Sequence, residues 1–197
     1  MKFSVLKTKI EISFLFIALL SLVILTDTTG LIIPTVIAVT LHEFSHLLAM
    51  NYFGCSHKKI KIIPAAIEIT RDFCQKNSQE IIISLAGSVA NILTFLITYF
   101  FLFKGKNMFF LNFAGVNFVI GFFNLLPLKS LDGGNILFKI LCFKFSTEKS
   151  ERILNIINFI IGLAGIFVGI FLIINGKINF SVIIMSIYII LSVIIKL

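Results

Sequence analysis

Apolar residues run nearly unbroken through six stretches of this chain, at about 10–29, 31–53, 80–103, 108–128, 153–175 and 178–196. Each approaches the roughly twenty residues that a helix needs to cross about 30 Å of hydrocarbon. Polar residues gather between these stretches, above all in 54–79 and 129–152. The pattern predicts a mainly α fold, a polytopic membrane bundle of about six transmembrane helices. One loop follows a different rhythm. Lys59-Ile60-Lys61-Ile62-Ile63 and Ile67-Glu68-Ile69-Thr70-Arg71 alternate polar and apolar residues on either side of Pro64-Ala65-Ala66. Period-two alternation about such a break predicts a small cytoplasmic β-hairpin between spans two and three.

Composition supports the membrane reading. Of 197 residues, 58% are hydrophobic and 13% charged, and mean hydropathy is +1.08. A soluble domain of this length has too little interior to hide so much apolar surface. The formal charge of +8 raises the question of nucleic acid, but the basic residues cluster between apolar runs, where membrane topology explains them. No nucleic-acid partner is expected. With the N-terminus in the cytoplasm, fourteen of the seventeen basic residues fall inside, leaving Lys104, Lys106 and Lys177 outside. Both termini of this multi-pass cell-membrane protein are therefore expected in the cytoplasm. The stretch after Lys2, Lys7 and Lys9 ends at Thr26-Asp27-Thr28-Thr29-Gly30 without a small-x-small cleavage site, so it reads as a retained first span. Cys55, Cys74 and Cys142 form no disulfide-framework pattern, and reduced thiols are expected. There is no internal repeat and no second soluble domain. A single membrane-embedded domain spans 1–197, with a core at about 31–140.

A charge inside hydrocarbon is costly, so an intramembrane acid calls for a reason. Among nine Asp and Glu residues, Glu43 alone lies deep in an apolar run, and Asp132 alone sits in a break at a span's end. Glu43 belongs to His42-Glu43-Phe44-Ser45-His46. Positions four apart share a helix face, so both imidazoles reach one cation. Glu43 projects about 100° around the helix, beside the metal rather than on it. By chance such a pattern arises on the order of one time in a thousand in a chain with this few histidines. A catalytic zinc site needs a third protein ligand, and Asp132 is the available candidate. It lies in Phe123-Asn124-Leu125-Leu126-Pro127-Leu128-Lys129-Ser130-Leu131-Asp132-Gly133-Gly134. Pro127 breaks the fourth span, and the two glycines are expected to let the backbone turn sharply. A helix-ending turn capped by Asp132 is the plainer alternative. In the topology above, His46 and Asp132 lie near the cytoplasmic ends of two spans running the same way.

The HExxH helix, followed about ninety residues later by N-L-L-P-x(4)-L-D-G-G, resembles the site-2 protease family of intramembrane zinc metalloproteases. The short architecture is most similar to the stage IV sporulation protein FB group. A third family element, usually A-G-P-x-x-N, stands as Ala86-Gly87-Ser88-Val89-Ala90-Asn91, with serine in the proline's place. Lys129 and Ser130 stand where family members often have prolines. The resemblance implies a zinc metalloendopeptidase cutting membrane-associated proteins within or beside the bilayer. Its metal ligands would be His42, His46 and Asp132, with Glu43 as general base and acid and the active site toward the cytoplasm. It also implies a role for Asn124 in hydrogen-bonding substrate or oxyanion, with interhelical packing the alternative. A membrane-associated pro-sigma factor is the substrate class that the sporulation group implies, and regulatory membrane proteins are a second class of partner. Ser84, Ser88 and Asn91 share a helix face and are expected to act as packing glue. Gly165 and Gly169 form a small-xxx-small face, within the monomer or between protomers.

Two other functions compete: a proteolytically inactive homologue that binds membrane segments, and a metal transporter. Every catalytic position is filled, which disfavours the first. Inverted repeats and a polar path across several spans, which a transporter would carry, are absent from the sequence.

Overall fold

Pro34, Ala38, His42, His46 and Met50 are the buried residues of the first long helix, α1 (Ile32–Tyr52), spaced four apart on one ridge. The helix starts and stops by local chemistry. Asp27 Oδ1 accepts from the amides of Thr29 (2.8 Å) and Gly30 (3.1 Å) and from the Thr29 hydroxyl (2.7 Å). Its Oδ2 accepts from the amide of Ile32 at 3.1 Å, so one carboxylate satisfies donors that a helix start leaves open. Pro34 sits in the first turn, where a missing N–H costs little. At the other end Gly54 takes φ 67°. Cys55 N donates to Met50 O (2.9 Å) and Gly54 N to Asn51 O (3.1 Å), the Schellman closure that glycine permits.

The computed structural model describes residues 2–5, 8–12, 25–55, 57–63, 66–71, 76–102, 107–175 and 180–194. The chain divides into two units, Met1–Phe123 and Asn124–Leu197. In the first unit α1 packs on α2 (Asn77–Ile97), which a π-helical turn extends over Thr98–Leu102, and α3 (Met108–Asn124) begins after it. The strands β1 (Lys2–Val5), β2 (Thr8–Ile12), β3 (His57–Ile63) and β4 (Ala66–Arg71) form one sheet in the order β1-β2-β3-β4. The β1–β2 and β3–β4 pairs are antiparallel, the latter with Ile60 opposite Ile69. The β2–β3 pair is parallel, with Ile10 opposite Ile60. In the second unit α4 (Asp132–Leu141), α5 (Thr147–Ile174) and α6 (Phe180–Ile194) follow in order, α5 contacting both neighbours.

Three differences from the sequence-based expectation stand out. The stretch assigned to a first span at 10–29 begins in strand, since β2 runs to Ile12; residues 13–24 of that span lie outside the described residues. The alternation in 8–12 serves an interior strand of the sheet, paired on both sides, and a hydropathy window averages it away. Where an isolated hairpin is expected, four strands pair, because β2 has the register to extend β3. Cys55 is disulfide-bonded and Cys142 is free, in place of three reduced thiols.

Among the described residues, three helices are long and apolar enough to cross a membrane: Ile32–Tyr52, Asn77–Phe100 and Thr147–Ile174. Met108–Asn124 and Phe180–Ile194 are shorter apolar helices. The burial pattern is inverted relative to a water-soluble bundle. Among the described residues, eleven polar or charged side chains are buried against eight hydrophobic ones, while Phe44, Leu48, Phe122, Phe167 and Phe171 are exposed. Surface of this kind is tolerated in lipid and not in water, and small polar residues inside with apolar ones outside is how helices pack in a membrane.

The second unit shows the same logic at close range. A Cβ on Gly162 would meet Ile190 Cγ1 at 2.5 Å, and one on Gly165 or Gly169 would run into Ser186 or Ile183. The small-residue face of α5 therefore packs against α6 of the same chain.

Candidate metal centre

The burial ridge of α1 carries both histidines inward, 5% and 8% exposed. Their rings meet edge to face, with centroids 4.7 Å apart and planes at 85°. His46 Nδ1 lies 2.7 Å from the carbonyl oxygen of Ile83 on α2. A carbonyl only accepts, so Nδ1 bears the proton and Nε2 presents its lone pair. That lone pair points at His42, and the two Nε2 atoms are 3.1 Å apart.

This spacing tests whether a cation fits. Two imidazole nitrogens on a tetrahedral zinc, each at 2.0–2.1 Å, stand about 3.3 Å from one another. The observed separation is within a few tenths of an ångström of that figure. The sequence places the histidines one turn apart; the Ile83 carbonyl fixes the tautomer and orients one ring, the arrangement that metal-ligating imidazoles use.

Gly87 on α2 makes room for the pair. A Cβ there would stand 2.5 Å from His46 Nε2 and 2.7 Å from His42 Cε1, so any other residue would collide with both rings. In the sequence Gly87 is one letter of the Ala86–Asn91 element, with no function of its own. The signal was a glycine inside an apolar helix, which lowers helix propensity and so demands a packing reason. Nothing in the sequence points to Ile83, because a backbone carbonyl carries no residue-specific mark.

Glu43 follows His42 on α1 and is partly buried. Its position is about 100° around the helix from His42. Ser45 spends its hydroxyl on the carbonyl of Leu41 at 2.7 Å. On α2, Ser84, Ser88 and Asn91 are all buried. Among these, Ser88 Oγ and both amide atoms of Asn91 make no hydrogen bond, so they do not glue helices by hydrogen bonding. Their small size matters instead. A Cβ on Gly121 of α3 would meet the Ser88 carbonyl at 3.2 Å and Asn91 Cβ at 3.3 Å.

The second unit holds Asp132 as the first residue of α4, following Leu131 in extended conformation. It is partly buried, and Gly133 and Gly134 behind it are buried. A carboxylate in a first helical turn is favoured by the helix dipole. The glycines do not turn the chain, as their place after Pro127 suggests; they lie inside the helix and have negative φ. A Cβ on Gly133 would run into the carbonyls of Leu125 and Leu126, and one on Gly134 into that of Leu128. Loop 125–131 folds over the first turn of α4, and only glycine leaves it space. Asn124 ends α3 and is partly buried.

The model of peptidase family M50 matches residues 102–168, a stretch that contains Asn124 and Asp132 and excludes the His42–His46 pair. No curated protein sequence matches the chain. Among solved structures, the chain is similar to the Site-2 Protease from Methanocaldococcus jannaschii. The likeness has a TM-score of 0.67 and 23% identity, over 98% of this chain and 93% of that one. The likeness shows that the chain shares the fold of that membrane protease.

Proposed function

We propose that this chain is an intramembrane zinc metalloendopeptidase whose metal is held by His42, His46 and Asp132. The observation that carries the reading is the convergence of the two Nε2 atoms at 3.1 Å, with the His46 ring fixed by Ile83. Two neutral imidazoles and one carboxylate form a donor set suited to zinc with a position left for water. Bound there, zinc would acidify a water and polarise a carbonyl. Glu43 accepts a proton as general base and returns it to the leaving amine, the role that a carboxylate one residue beyond a ligating histidine supports. Asn124, at the end of α3, is placed in the part of the chain that matches the protease family and would donate a hydrogen bond to the substrate.

The substrate is a membrane-associated protein, a pro-sigma factor in the narrowest form of the proposal. A helical segment must unwind before its peptide bonds are open to attack. The β4 strand, outermost in the order of the sheet, offers a backbone on which such a segment would add as a further strand. The charge distribution favours cytoplasmic termini and a cytoplasmic-facing site; reporter fusions at each terminus test that orientation.

The decisive experiment co-expresses a membrane-tethered candidate substrate with the wild type and with Glu43→Gln. Chelator-sensitive cleavage that falls about 100-fold or more in the variant, with zinc content retained, is the expected result. Equal cleavage by both would remove Glu43 from the reaction. An inactive homologue would bind the substrate without cutting it in either form. Deleting residues 60–70 is expected to abolish cleavage and spare zinc binding.

A further inference from the structure

Between α3 and α4 the chain leaves helical geometry for seven residues, 125–131. Backbone groups freed at membrane depth need partners from protein, because lipid supplies none. Some partners are local: Leu128 N donates to Leu126 O at 2.7 Å and Leu131 N to Leu128 O at 2.8 Å. Two groups are left over by the geometry. The Pro127 carbonyl would receive the Leu131 amide in a continuing helix, but that amide goes to Leu128. The Lys129 amide has lost the carbonyl four residues back because the helix has ended.

We propose that Asn158 is a positioning residue that holds this loop and thereby sets the place of Asp132. The inference rests on the reading of Asp132 as a metal ligand. Asn158 lies on α5 and is 1% exposed. Its Oδ1 accepts from Lys129 N at 2.9 Å and its Nδ2 donates to Pro127 O at 3.2 Å. A single carboxamide thus engages the chain on both sides of Leu128, as a neighbouring strand's peptide group would. Its second N–H goes to Leu154 O at 2.8 Å, one turn back, which fixes the side chain's direction. No other neutral residue supplies this planar donor-and-acceptor pair at this length. Glu151, two turns earlier on the same face, adds a tie to the same residue through Lys129 Nζ at 3.5 Å.

The loop passes this restraint on to Asp132. Leu131 is bonded to Leu128, Gly134 N donates to Leu131 O at 3.1 Å, and Gly134 lies against the Leu128 carbonyl without space for a Cβ. A shift of residues 127–129 therefore moves the first turn of α4. Prolines at 129 and 130 would stiffen such a loop covalently. Here Lys129 keeps an N–H instead, and Asn158 is the residue that takes it.

The test measures metal binding directly, by cobalt titration followed in the visible spectrum and by zinc competition, on the full chain in detergent. Asn158→Leu is expected to weaken metal affinity by about 10–100-fold and to change the cobalt ligand-field bands, with helical content retained. Asn158→Asp, isosteric and keeping the acceptor for Lys129, is expected to retain more affinity than Asn158→Leu, and it decides the question should the leucine variant fail to fold. Asn155→Leu makes the same polar-to-apolar change on the same helix, at a side chain whose Oδ1 has no partner, and is expected to leave affinity and spectrum unchanged. Wild-type affinity and bands in both Asn158 variants, or losses matched by Asn155→Leu, would overturn the proposal. His46→Ala separates the two readings: a wild type that binds cobalt no better than this variant overturns the metal site itself, and the role of Asn158 with it.

Discussion

His46 donates its Nδ1 proton to the carbonyl oxygen of Ile83, 2.7 Å away on the adjacent helix. The bond joins a side chain of α1 to the backbone of α2, so the orientation of the imidazole is a property of helix packing. It leaves Nε2 facing His42 Nε2 at 3.1 Å, with Gly87, one turn beyond Ile83 on the same helix, packed against both rings.

Gly87→Ala would place a methyl 2.5 Å from His46 Nε2 and 2.7 Å from His42 Cε1. Both rings would have to swing, or the two helices would have to part. Zinc affinity is expected to fall by about 10–100-fold, comparable with the loss of an outer-shell partner. Equilibrium dialysis of the purified variant against zinc checks this, and an unchanged affinity would show that the rings have room to spare.

Gly134→Ala introduces a Cβ where the Leu128 carbonyl lies. The obstacle is backbone, which cannot rotate away as a side chain can. The loop carrying Asp132 is expected to lose its packing, at about 1–3 kcal/mol, the usual range for overpacking. Limited proteolysis should then cut within 125–131 in the variant and spare the wild type.

Gly169→Leu tests whether α5 and α6 pack within one chain. A side chain there meets Ile183, and a loss of about 1–3 kcal/mol in stability is expected, independent of protein concentration. A loss that depended on concentration would assign this face to a contact between copies.

Asp27 is held below the ordinary carboxylate range chiefly by the Thr29 hydroxyl, with the amides of Ile32, Thr29 and Gly30 adding to it. A lowered folded-state pKa contributes stability above the unfolded value of about 3.9, and the contribution is lost as pH falls through the folded value. Asp27→Asn is therefore expected to unfold at a slightly lower temperature near neutrality. The difference should close in acid, where wild-type Asp27 is itself protonated. A gap that persists at low pH would assign the effect to packing.

The membrane class and the pairing of the two histidines on one helix face were legible from local signals. A twenty-residue apolar run and an i,i+4 spacing are set by helix geometry alone. The helix bounds came close for the same reason: 31–53 became Ile32–Tyr52, and 178–196 became Phe180–Ile194. The region before residue 13 misled because β2 takes its meaning from β3, nearly fifty residues away. Gly133 and Gly134 misled because glycine serves two ends, a permissive φ and a missing Cβ, and only the neighbouring carbonyls tell which applies.

By itself the sequence determined which segments avoid water and which two histidines share a helix face, since both follow from composition and helical periodicity along one stretch of chain. Tertiary packing decided how those side chains are aimed. The partners that aim them are backbone groups and absent methyls: the Ile83 carbonyl, the space above Gly87, the Pro127 and Lys129 peptides held by Asn158. Such partners are chemically alike at every residue, and only folding brings particular ones within reach.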